Sequence, residues 1–80
     1  MSKLEKLLAR VDRLDPNIIF KDIENILIGL GYTKEYPGSG SSHCTFRKKG
    51  CNPITIPNKN PIKKPYIILV KQALKDGGVL

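Results

Sequence analysis

Leu4, Leu7, Leu8 and Val11 recur at the i, i+3, i+4, i+7 spacing of one helix face. Asp15-Pro16-Asn17 ends that pattern, because proline lacks a donor and pushes its predecessor away from helical angles. A second helix is predicted next, with Phe20, Ile23, Leu27 and Leu30 on one side and Gly31 as its stop. Lys21, Asp22, Glu24 and Asn25 fall on the other side. At Tyr32 the period shifts towards two. Tyr32 to Tyr36 reads as a short strand, followed by the turn-forming run Pro37-Gly38-Ser39-Gly40-Ser41-Ser42. His43-Cys44-Thr45-Phe46-Arg47 then alternates, which sets Cys44 and Phe46 on one face and His43, Thr45 and Arg47 on the other.

Lys48-Lys49-Gly50 fits a hairpin connection, and Pro53-Ile54-Thr55-Ile56-Pro57 a third strand that adds Ile54 and Ile56 to the Phe46 side. After a polar loop, Pro65 is expected at the first position of a last helix, with Tyr66, Leu69, Val70 and Ala73 facing the core and Gly77-Gly78 closing it. The predicted order is α-α-β-β-β-α. Its class is α+β, a three-stranded antiparallel sheet in the α-β-β-β-α order of a double-stranded-RNA-binding-like fold. Residues 1–16 form an added N-terminal helical extension and residues 17–80 the main domain.

Eighty residues make one small domain, and 40% apolar with 26% charged side chains favours a globular chain over a disordered one. The longest apolar run, Tyr66 to Val70, is five residues, against the ~20 of a membrane span. Charged residues also interrupt the N-terminal leucines, so a signal peptide is not expected and the cytoplasm is the expected compartment. Cys44 and Cys51 are expected as free thiols there. Together with His43 they match no zinc-ligand spacing, so neither a metal nor a cofactor is expected.

Charge adds the first hint of a partner. Residues 1–31 hold five basic and five acidic side chains, whereas residues 32–80 hold nine basic and two acidic. The whole net charge of +7 lies in the second part, which points to a polyanion, nucleic acid ahead of membrane. Arg47, Lys48 and Lys49 form one cluster at the hairpin. Lys63 and Lys64 form another at the start of the last helix, where the helix dipole and unbonded N–H groups favour an anion. Gly40, Ser41 and Ser42 add backbone and hydroxyl donors for a phosphate, and Lys59 a further cation. Six such charges on phosphates would give log K a slope of about −4 to −5 against log salt.

His43 is the only histidine. It opens a strand after a glycine/serine turn and is predicted on the polar face. An imidazole of ordinary pKa ~6.5 accepts a proton near neutral pH. Cleavage of RNA through its own 2′-hydroxyl needs such a base, and an acid for the leaving oxygen.

Gly40-Ser41-Ser42-His43-Cys44-Thr45-Phe46, then Pro53-Ile54-Thr55-Ile56-Pro57, then Pro61-Ile62-Lys63-Lys64 resemble the HicA family of type II toxin–antitoxin systems. Leu30-Gly31-Tyr32 fits the same pattern, and the likeness covers roughly residues 18–75. It implies a double-stranded-RNA-binding-like fold, a toxin acting as an mRNA interferase on mRNA, and His43 as the catalytic residue. It also implies a HicB-type antitoxin that masks the active face. Many members carry a second histidine in the loop after the third strand; this chain has Asn58, Lys59 and Asn60 there. If that imidazole is the acid, Lys59 or a water takes its place. A non-catalytic RNA-binding module of the same fold stays open as an alternative, as does a basic face that meets an acidic protein.

Overall fold

The computed structural model describes residues 2–36, 38 and 42–80. Helix α1 (Lys3–Asp12) begins at Ser2, whose hydroxyl accepts from the Glu5 N–H at 3.1 Å. Leu7 and Val11 are its buried residues, and they join the same core as the rest of the chain. The break that follows is built by Asp15. Its carboxylate accepts from the Asn17 N–H at 2.8 Å and from Arg10 Nε at 3.0 Å, while Leu14 takes a left-handed φ of 54°. Arg10 also donates to Asp22 and to the Asn17 carbonyl, so one guanidinium ties α1 to the next helix.

Helix α2 (Phe20–Gly29) buries Phe20, Ile23, Ile26 and Leu27. Its N-cap position is Ile19, which has no side-chain acceptor. Two other residues satisfy the first donors: Asp22 accepts from the Ile19 N–H at 3.1 Å, and Asn60 Oδ1 accepts from the Phe20 N–H at 2.8 Å. Gly31 follows with φ 97°, a conformation in which a side chain would be strained.

Strands β1 (Thr33–Glu35), β2 (His43–Arg47) and β3 (Ile54–Pro57) form an antiparallel sheet in that spatial order. Lys34 pairs with Phe46 across β1 and β2; His43 pairs with Pro57 and Phe46 with Ile54 across β2 and β3. Cys44, Phe46, Ile54 and Ile56 are buried, and Phe20 meets Phe46 with ring centroids 6.2 Å apart. Thr45, on the opposite face, is buried as well. It sits on the middle strand between Glu35 and Thr55, and its hydroxyl lies 3.0 Å from that of Thr55.

Helix α3 (Lys64–Asp76) starts one residue earlier than its proline suggests, with Lys63 as N-cap and Pro65 within the first turn. Its buried residues are Ile67, Val70 and Leu74, with Tyr66 and Ala73 packed at the margin. Leu69, expected in the core, is 44% exposed. The sequence Tyr66-Ile67-Ile68-Leu69-Val70 is apolar all round, so more than one stripe satisfies the helical period there, and contact with α1 and β3 selects the stripe through Ile67. The architecture is α+β in the order α-α-β-β-β-α, as expected. No helix among the described residues is long and apolar enough to cross a membrane.

Candidate active site

His43 occupies the first position of β2 and is exposed. Strand alternation fixes its face: Cys44 beside it is fully buried against the helices, so the imidazole stands on the other side. Burial pushes the Cys44 thiol upward, which keeps it protonated and removes it from consideration as a nucleophile.

The end of β3 lies beside the start of β2, through the pairing of His43 with Pro57. The chain leaves β3 into residues 58–62, and hydrogen bonds to distant parts of the chain fasten this loop. The Asn58 N–H donates to the Ser42 carbonyl at 2.6 Å, Asn58 Nδ2 to the Tyr36 hydroxyl at 3.1 Å, and the Ile62 N–H to the Ile18 carbonyl at 3.0 Å. Asn60 meanwhile holds the first turn of α2. Of Asn58, Lys59 and Asn60, the two asparagines are therefore committed to the scaffold.

What remains at this corner is a cleft of about 200 Å³, lined by Ser42, His43, Pro57, Lys59, Pro61, Ile62, Lys63 and Tyr66. It brings together a base, two ammonium groups, a hydroxyl and a phenol ring. Compared with known proteins, the chain matches no family model, no curated protein and no solved structure.

Several expected contacts are placed differently from how the charge pattern reads. Arg47 forms an ion pair with Glu35, the acidic residue on the neighbouring strand. Lys48 Nζ donates to the Leu30 carbonyl at 2.8 Å and lies 5.7 Å above the Tyr32 ring, so its charge serves the α2–β1 junction. Arg47, Lys48 and Lys49 line a separate hollow of about 380 Å³ with Gly31, Thr33, Cys51 and Pro53. β2 spans about 13 Å between His43 and Arg47, at ~3.3 Å per residue. The hairpin cluster is thus remote from the imidazole. Another hollow of about 380 Å³, between Tyr32, Cys51, Leu69 and Asp76, also lies at that far end. Both are roomier than the His43 cleft, yet neither reaches the chain's only histidine.

The start of α3 also differs from expectation. Pro65 has no N–H, and the N–H groups of Tyr66 and Ile67 both donate to the Lys63 carbonyl, at 3.0 and 3.3 Å. Backbone donors are thus largely used up, which leaves side chains to meet any anion at this corner. Lys63 lines the cleft and Lys64 is the adjacent exposed residue. Gly40 and Ser41 lie outside the described residues; Ser42 is at the cleft. Among the described residues, no group of three or more His, Cys, Asp or Glu is arranged to hold a metal ion.

Tyr66 is the member that sequence reading assigned only to the core. Its position three residues after Lys63 and directly after Lys64-Pro65 is the one available signal, since an aromatic beside a lysine pair in the first helical turn stays near their charges.

Proposed function

We propose that this chain is an endoribonuclease of the HicA type: the toxin of a type II pair, which cuts mRNA in the cytoplasm and so blocks translation and growth. The observation that carries the reading is the meeting of His43, from β2, with Lys59 and Lys63, from the β3–α3 connection, in one cleft.

In this mechanism the RNA backbone lies across the cleft, with Lys59 and Lys63 on a phosphate and Lys64 beside it. His43 accepts the proton of the 2′-hydroxyl. The 2′-oxygen bonds to phosphorus, the bond from phosphorus to the 5′-oxygen breaks, and the leaving oxygen takes a proton from the Lys59 ammonium. The products are a 2′,3′-cyclic phosphate and a free 5′-hydroxyl. An internal nucleophile of this kind needs a positioned base and acid, each contributing ~10²–10⁴-fold. The cations add electrostatic stabilisation where negative charge builds on the phosphoryl oxygens. A HicB-type antitoxin, as the resemblance implies, would neutralise the toxin by covering this corner.

The test compares transcript integrity and growth after induction of the wild type and of His43→Ala at equal level, with purified protein on RNA in parallel. Cut mRNA and arrest with the wild type alone support the mechanism. Arrest by both proteins with intact mRNA would instead favour an RNA-binding module without catalysis.

A further inference from the structure

The proposed cleavage explains His43 and the lysines but leaves the remaining wall of the cleft without a task. Pro57, Pro61, Ile62 and Tyr66 give that wall an apolar lining, which a phosphate alone does not need. The other two tyrosines do not line this cleft: Tyr32 lies under Lys48, and the Tyr36 hydroxyl accepts from Asn58. Tyr66 differs from them. It is half-buried, packed against the margin of the core, and held at its backbone by the bond from its N–H to the Lys63 carbonyl. A tyrosine packed against the core that also lines a cleft offers aromatic surface at little cost in side-chain entropy.

Size narrows the occupant. Pockets for drug-sized ligands run to about 300–1,000 Å³, and this one is about 200 Å³. It has room for one planar ring system and not for a base pair. Bases in a duplex are stacked and paired, whereas unpaired bases present a face to aromatic side chains.

We propose that Tyr66 is the stacking platform for a single unpaired base next to the scissile phosphate, which restricts the site to single-stranded RNA. This inference rests on the RNA-cleaving reading and makes Tyr66 a positioning residue. The base stacked on the ring places its own phosphate between Lys59 and Lys63 and its sugar near His43.

The experiment uses the full chain and a short, fluorescein-labelled, single-stranded 2′-O-methyl RNA of mixed sequence, which binds without being cut. Tyr66→Phe keeps the ring and is expected to bind within about twofold of the wild type. Tyr66→Leu and Tyr66→Met fill similar space without a π face; circular dichroism identifies which is folded, and two candidates ensure a usable ring-free protein. The expected loss of affinity is about 5- to 150-fold. On cleavable RNA the same factor is expected in KM, with kcat retained. Ring-free variants that bind like the wild type, or a Tyr66→Phe variant that loses as much as they do, would overturn the platform while leaving the ribonuclease reading intact. Loss in kcat in place of KM would overturn it too. Failure of the wild type to bind single-stranded RNA at all would overturn both.

Discussion

Replacing Asn60 with alanine removes the acceptor for the Phe20 N–H, a bond of 2.8 Å that joins residues forty apart in sequence. Phe20 is the first residue of α2, and Ile19 at the N-cap has nothing to offer it. The bond is therefore a helix cap supplied from a distant loop. Loss of a capping side chain costs about 1 kcal/mol, within a range of ~0.5–2. The bond is partly shielded from water, which favours the upper half of that range, since a shielded donor without a partner carries a desolvation penalty. For a domain of this size, about 1 kcal/mol shifts Tm by about 4–8 °C. The measurement is thermal unfolding of Asn60→Ala beside Asn60→Asp, by circular dichroism. Aspartate keeps an acceptor and adds negative charge at a helix N-terminus, so its Tm should stay close to the wild type. Equal and large losses in both variants would show that the amide's shape, and not the capping bond, is what matters. No loss in either would refute the cap altogether.

Three further expectations concern acid stability, salt and packing. Hydrogen bonds from Lys34 and then Lys21 hold the Glu24 carboxyl below its ordinary 4.5. A lowered folded-state value adds stability above the unfolded value and loses it as pH falls through the folded one; Glu24→Gln should flatten that acid limb in melts taken below pH 4.5. With Arg47 and Lys48 engaged elsewhere, the proposed mechanism leaves Lys59, Lys63 and Lys64 to meet phosphates around the cleft. Three contacts on a single strand give log K a slope of about −2 against log salt, and a slope near −5 by fluorescence anisotropy would return the hairpin cluster to the interface. Ile67→Ala should cost about 2–5 kcal/mol in urea unfolding, and Leu69→Ala less than about 0.5. The reverse order would overturn the assigned core face of α3.

Much of the fold was legible because local signals agreed with the tertiary solution. The alternation of Cys44 and Phe46 against His43 and Arg47 fixes the faces of β2, and its partners Ile54 and Ile56 repeat the rule on β3. The helix break at Asp15 follows from proline and from an aspartate able to bond its own backbone. The face of α3 was less accessible, because four consecutive apolar residues follow Tyr66 and period alone does not choose among them. At the site, His43 was readable from strand phase. Lys48 was not, for its charge is absorbed by a carbonyl eighteen residues away, a contact without local trace. Tyr66 was hidden by the same ambiguity that misplaced Leu69.

The loop from Asn58 to Ile62 is bonded to Ser42, to Tyr36, to Phe20 and to Ile18. Four anchors on so short a segment mean that Lys59 is carried on backbone already ordered before any ligand arrives. Association then bears little of the entropy that disordered binding segments must surrender when they meet a target. On the proposed ribonuclease reading, encounter would be governed by charge steering, and differences among RNA ligands would be expressed mainly in how long each stays bound.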